Sequence, residues 1–190
     1  MRRSETKSRI IQAARTLFST HGCQSTSIVD IITASGITKG GFYHYFKSKE
    51  ELCATLIAQL KNDYQQLFNS LAPETEPIEV LRGLLQRIAE LNTSGEWVNC
   101  RLILQLTGES HQYKPELRDK VQDFWQWYSG ALEELISRCR AAGQIKTDIS
   151  PKLQTRLVLA IMTGSIMLSE TGAPGPPLAE MAETAINCLH

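Results

Sequence analysis

Several protein classes leave marks that are missing from this sequence of 190 residues. No apolar run approaches the ~20 residues that a membrane-spanning helix needs, so the chain reads as soluble, with no membrane partner. The basic start MRRSETKSR leads into an amphipathic pattern and not into an apolar stretch with a cleavage site, so a secretory leader is not expected. The five cysteines, Cys23, Cys53, Cys100, Cys139 and Cys188, are odd in number, scattered, and form no C-x-x-C pair. That argues against a disulfide framework and a zinc knuckle, and for reduced thiols in a cytoplasmic protein. The histidines His21, His44, His111 and His190 are dispersed, and H-E-x-x-H, a phosphate loop and a nucleophile elbow are all lacking. An enzyme is therefore disfavoured, and no catalytic residue, metal site or cofactor is expected.

Net charge is missing too, yet the charge is unevenly placed. Residues 1–50 carry eight basic side chains (Arg2, Arg3, Lys7, Arg9, Arg15, Lys39, Lys47, Lys49) against three acidic ones (Glu5, Asp30, Glu50), a balance of +5; the chain as a whole is neutral, so the remainder carries −5. One end of the molecule should attract polyanions while the rest is indifferent or repulsive to them.

What is present is helical periodicity. Ile10, Ala13, Ala14, Leu17 and Phe18 share a face, and His21-Gly22 stops that helix. Ser27 with Asp30 makes a capping box for a short second helix that Gly36 closes in a left-handed turn. Thr38 caps a third, Lys39 to about Tyr45, and Ser48 with Glu51 opens a long fourth toward Leu71. After a polar break from Ala72 to Pro77 come an apolar helix through Leu91, a buried one from Trp97 to about Leu106, and the longest, from Pro115 toward Gly143. A helix from Pro151 to Leu168 and a last one from Leu178 to Leu189 flank the stretch Gly172 to Pro177. No segment has strand period, so the spacing predicts an all-α fold of about nine helices.

The second and third short helices, joined through Gly36, make a helix-turn-helix, whose second helix enters the major groove of a duplex. Lys39 supplies charge at that helix start, and Tyr43 and His44 can reach phosphates or base edges. Gly40 and Gly41 each cost roughly 1 kcal/mol against alanine inside a helix, a penalty that close backbone approach to DNA would explain.

The stretch from Ser25 to Leu52, STSIVDIITASGITKGGFYHYFKSKEEL, closely resembles the signature of the TetR family of transcriptional regulators. It includes the core G-x-(T/S)-K-G-x-x-Y-x-(Y/H)-F-x-(S/N)-K-E-x-L. The resemblance implies a DNA-binding domain over residues 1–47 and a helical ligand-binding and dimerisation domain over 48–190. In it, Thr26 and Ser27 touch the DNA backbone, Thr38, Lys39, Gly40, Tyr43 and His44 form the recognition surface, and Lys49 meets a phosphate. Phe42, Tyr45 and Phe46 match as well, but read as core, with Phe46 and Leu52 tying the recognition helix to the fourth helix.

One such module makes too few contacts for operator affinity, so a homodimer reading a near-palindromic double-stranded operator is expected. The family's arrangement places the dimer interface on the last two helices. Leu153, Leu157, Val158, Ile161, Met162, Ile166 and Met167 cover more than one face of the first of these. In the family a small-molecule effector enters the helical domain and moves the fourth helix, usually relieving repression. Trp97, Cys100, Leu104, Phe124, Trp127 and Tyr128 are the candidate lining residues, suited to an apolar or aromatic compound. Cys100 supplies an alternative: WVNCRLILQLTGES followed by PELRDKV resembles a subgroup with a cysteine opening the sixth helix. There a thiol of lowered pKa would sense electrophiles or oxidants. A ligand-independent, DNA-bound structural factor on the same scaffold is the remaining alternative.

Overall fold

The computed structural model describes residues 2–71, 76–172 and 174–189. Among them are nine α-helices and no strand. The helices are α1 (Arg2–His21), α2 (Ile28–Ser35), α3 (Lys39–Tyr45), α4 (Lys49–Ser70), α5 (Pro77–Thr93), α6 (Asn99–Gly108), α7 (Pro115–Ala141), α8 (Pro151–Glu170) and α9 (Leu178–Asn187). A single 3-10 turn, Ser110–Gln112, precedes α7. Most of the polar break after α4 and Ala173 of the later one lie outside the described residues.

The caps explain the boundaries. Ser27 accepts from Asp30 N while the Asp30 carboxylate accepts from Ser27 N, a reciprocal box, and Gly36 takes φ 62° and ψ 37° to end α2. Thr38 accepts from Gly41 N at the start of α3. At the start of α4, Ser48 Oγ accepts from Glu51 N, but the Glu51 carboxylate reaches back one residue further than a capping box requires, to Lys47 N at 2.7 Å. Trp97, expected inside a helix, stands in the connection before α6, because Gly95 at φ 74° turns the chain and α6 begins only at Asn99.

By contact the chain divides into two compact units, Met1–Asn62 with Arg101–Phe124 and Asp63–Cys100 with Trp125–His190. The expected boundary after residue 47 thus falls inside the first unit. A hydrogen-bonded link accounts for this: the Glu109 carboxylate, just past the end of α6, accepts from the backbone N–H groups of Cys23 and Gln24 at 2.9 and 3.2 Å. The Tyr113 hydroxyl donates to the same carboxylate at 2.8 Å.

The first unit is held by a small apolar core. Ile10, Ala14 and Phe18 of α1, Ile31 of α2, Phe42 of α3 and Leu52 and Leu56 of α4 are fully buried, and Phe46 almost so. Arg9 Nη2 donates to the carbonyls of Ser35 and Gly36 at 2.6 and 3.3 Å, satisfying acceptors that the end of α2 leaves open. In the second unit α9 packs on α5 and α8. Arg82 Nε pairs with Glu183 at 3.1 Å across α5 and α9, and the buried Gln154 Nε2 donates to Leu189 O at 2.8 Å. No described helix is long and apolar enough to cross a membrane.

Candidate nucleic-acid interface

The recognition helix α3 is amphipathic over only seven residues. Phe42 faces inward, fully buried, and meets Phe46 at 6.0 Å between ring centroids. With those two pinned inside, Lys39, Gly40, Tyr43 and His44 are left on the opposite, exposed face. Tyr43 is 46% exposed, and its ring stands edge-on to Phe42 at 5.4 Å, which fixes its direction from within the core. His44 stacks edge-on against Tyr45 at 4.9 Å.

The two glycines of α3 have different reasons. A Cβ at Gly41 would lie 3.3 Å from Thr38 Oγ1 and 3.9 Å from Ile37 Cβ, so its smallness serves the cap. A Cβ at Gly40 would meet nothing within 4 Å. The fold therefore does not require glycine there, in spite of its helix penalty.

Other residues expected at the interface are engaged within the chain. Ser27 is exposed at the tip of α2, and its hydroxyl both caps the helix and donates to Asp30 Oδ2 at 2.7 Å. Those hydrogen bonds hold the Asp30 carboxyl below its ordinary value. Thr26 is buried, and its hydroxyl donates to Gly22 O at 2.7 Å, so its side chain fixes the turn. Lys49 differs most from expectation. Its Nζ donates to the carbonyls of Cys23, Gln24 and Thr26 at 2.6, 3.3 and 2.8 Å, which takes all three ammonium protons. The motif lysine at the start of α4 clamps the α1–α2 turn in this structure.

In the second unit an aromatic group assembles around Tyr64. Its ring lies 4.8 Å from Trp97 and 5.0 Å from Tyr128, while Phe68 lies 6.1 Å from both Trp127 and Tyr128. Four candidate lining residues, Trp97, Cys100, Trp127 and Tyr128, thus come together around Tyr64 and Phe68. Sequence reasoning missed these last two, although their spacing of four on α4 places them on one helical face. Leu104, half-buried, and Phe124, buried, belong to the first unit.

Cys100 is corrected by its surroundings. It is 4% exposed, its Sγ lies 3.1 Å from the Tyr64 hydroxyl, and burial pushes its pKa up to about 11, only partly opposed by that hydrogen bond. Desolvation outweighs the helix start, so the thiol is less acidic than usual and is not the low-pKa nucleophile a sensor would need.

Residues 10–56 match the tetR family of bacterial regulatory proteins, and residues 77–184, more than half of the chain, match the tetracyclin repressor-like C-terminal domain. The chain is 25% identical to the HTH-type transcriptional repressor AcnR of Corynebacterium efficiens, over 92% of this chain and 87% of that protein. It is 27% identical to the HTH-type transcriptional regulator AcrR of Shigella flexneri, over 85% and 75% of the respective lengths. Its fold superposes with a TM-score of 0.77 on AibR, solved with isovaleryl coenzyme A and operator DNA, at 20% identity and covering 97% of both chains. The chain belongs to the tetR family of bacterial regulatory proteins and is a helix-turn-helix, DNA-binding transcriptional regulator.

Proposed function

We propose that this regulator is a cytoplasmic repressor, acting by binding and not by catalysis, that grips a near-palindromic operator as a homodimer and is released by a small apolar or aromatic ligand. The observation that carries the DNA-reading half is the outward strip of α3. Lys39 offers a cation for phosphate, Gly40 lets the backbone approach closely, and Tyr43 and His44 carry exposed hydrogen-bonding groups suited to base edges and sugars. Ser27 and Thr38, exposed at the two helix starts, flank this strip and contact the DNA backbone. Thr26 and Lys49 act through the turn that they hold, as positioning residues.

The dimer half rests on α8. Val158, Met162 and Ile166 are buried within the subunit, whereas Leu153 (52%), Leu157 (36%), Met167 (59%) and Leu168 (62%) are exposed. A helix that is apolar on two faces and covered on one needs a second body. A matching α8, with α9 beside it, completes a four-helix bundle. For the effector, the aromatic group of Tyr64, Phe68, Trp97, Trp127 and Tyr128, with Cys100, supports an apolar or planar ligand. Such a ligand releases DNA by preferring the dimer whose recognition helices no longer match the half-site spacing.

A duplex enriched from a random pool by the wild-type protein supplies the test. Tyr43→Ala should weaken binding to it by ~10-fold or more, on the scale of 1–3 kcal/mol for a lost specific contact, with an unchanged melting temperature. Undiminished affinity would remove α3 from the interface.

A further inference from the structure

The α1–α2 turn is held from two directions, and one of them comes from far along the chain. Lys49, at the start of α4, takes the carbonyls of Cys23, Gln24 and Thr26. Glu109, just past the end of α6, takes the N–H groups: a single carboxylate oxygen, Oε2, accepts from Cys23 N, from Gln24 N and from the Tyr113 hydroxyl. We propose that Glu109 is a positioning residue for operator binding, which acts through this turn to set α2, and with it α3, in the arrangement that reads DNA.

The carboxylate is itself held in place. The Glu109 N–H donates to Gln105 O at 3.1 Å and its carbonyl accepts from Gln112 N at 2.9 Å, so its backbone is tied both to the last turn of α6 and to the 3-10 turn that follows. The buried Tyr113 brings its hydroxyl to Oε2 at 2.8 Å. Gly22 completes the seat. Its φ is 82°, and a Cβ there would stand 2.0 Å from Glu109 Oε1 and 2.9 Å from the carboxyl carbon, so any side chain at this position would push the carboxylate off the turn.

What Glu109 adds to the apolar core is direction. Burial of Phe18, Ile31 and Phe42 keeps α1, α2 and α3 together, but apolar contact is non-directional and does not fix the path of the turn. Cys23, by contrast, is gripped on both sides by opposite charge, its N–H by the Glu109 carboxylate at 2.9 Å and its carbonyl by the Lys49 ammonium at 2.6 Å. Hydrogen bonds to ionised groups are roughly twice as strong as neutral ones. The Ser27 cap of α2 stands four residues on from Cys23, and Gly36, which ends α2, is two residues from the Thr38 cap of α3. A turn freed from Glu109 keeps the Lys49 clamp and loses the second direction. The two helices then sample orientations of which a fraction fits the groove, and operator affinity falls by that fraction. The sign of the effect is diagnostic: Glu109 is an acidic group packed on a basic segment, so removing it should by its field alone tighten binding to every duplex. Positioning requires the opposite for the operator.

The inference rests on α3 as the reading helix, and the test separates the two. Full-length wild type, Glu109→Ala and Glu109→Gln are titrated, well below their melting temperatures, against the duplex that the wild type enriches and against random duplex. Both variants lose the same charge, but the glutamine keeps an acceptor oxygen. Glu109→Ala should bind the enriched duplex about 10-fold more weakly and random duplex no more weakly than the wild type does, with Glu109→Gln in between. Tyr113→Phe should shift the ratio of the two affinities in the same direction, and combining it with Glu109→Ala should add nothing further, because both act on one carboxylate. Hydrogen exchange should quicken at the Cys23 and Gln24 amides of Glu109→Ala while α1 keeps its protection. An unchanged or raised ratio in Glu109→Ala, or a glutamine variant no better than the alanine one, overturns the proposal even where the melting temperature falls. Should Glu109→Ala fail to fold, Tyr113→Phe, which leaves the carboxylate in place, decides by the same ratio. A wild-type protein that enriches no duplex overturns the α3 reading and the positioning role with it, while exchange at the Cys23 and Gln24 amides still decides whether Glu109 holds the turn.

Discussion

Two lysines of the same motif have opposite surroundings, and that difference can be measured. Lys39 is exposed on α3, whereas Lys49 spends its ammonium on three carbonyls of its own chain. Lys49→Met should therefore lower folding stability by about 2 kcal/mol, the scale for hydrogen bonds to a charged group, and leave the salt dependence of DNA binding at its wild-type slope. Lys39→Ala should do the reverse, flattening the slope by about one phosphate contact with the denaturation midpoint unmoved. Matching salt slopes in both variants would mean that the Lys49 clamp opens on DNA. Cys100 gives a prediction in pH. Its folded pKa, about 11, stands above the 9.0 of an ordinary thiol, so the unfolded chain loses its proton first as pH rises. That contribution to stability is full below pH 9.0 and is lost as pH climbs through about 11. Urea midpoints should fall across this window in the wild type and fall less in Cys100→Val; equal falls would show that the thiol is not desolvated as described.

Among the elements, α3 is the one whose sequence works against its own stability. Gly40→Ala should raise folding stability by roughly 0.5–1 kcal/mol, since the new methyl meets nothing and removes a helix penalty, while weakening operator binding. Gains in both would show that the backbone of α3 does not approach the duplex. The short helices were legible because their caps are chemical: Ser27 with Asp30, Gly36 and Thr38 mark α2 and α3 residue by residue. The exposed face of α3 was legible because Phe42 and Phe46, the two phenylalanines of that stretch, turn inward. What could not be read was which polar group answers which. Arg9, counted as surface charge, closes α2; Glu109, eighty-six residues from Cys23, holds the α1–α2 turn; Tyr64 and Phe68 join Trp97 of the connection before α6 and Trp127 of α7. Such pairings join residues distant in sequence, and no periodicity encodes them.

For the whole molecule, the proposed dimer takes the exposed apolar face of α8 as its seam. Leu157→Glu, which sets a carboxylate on that seam, should halve the mass measured by light scattering and abolish tight operator binding without unfolding the subunit. A dimer that survives the substitution would place the interface elsewhere. The central claim, that the exposed strip of α3 reads duplex DNA twice per assembly, is tested most directly by sequencing the duplexes that the wild-type protein enriches from a random pool and measuring how many chains each one binds. The account predicts two inverted half-sites, with their centres about one helical turn or a multiple of it apart, and two chains or a multiple of two per duplex. Enrichment of no sequence, or of a single asymmetric site bound by one chain, would contradict it.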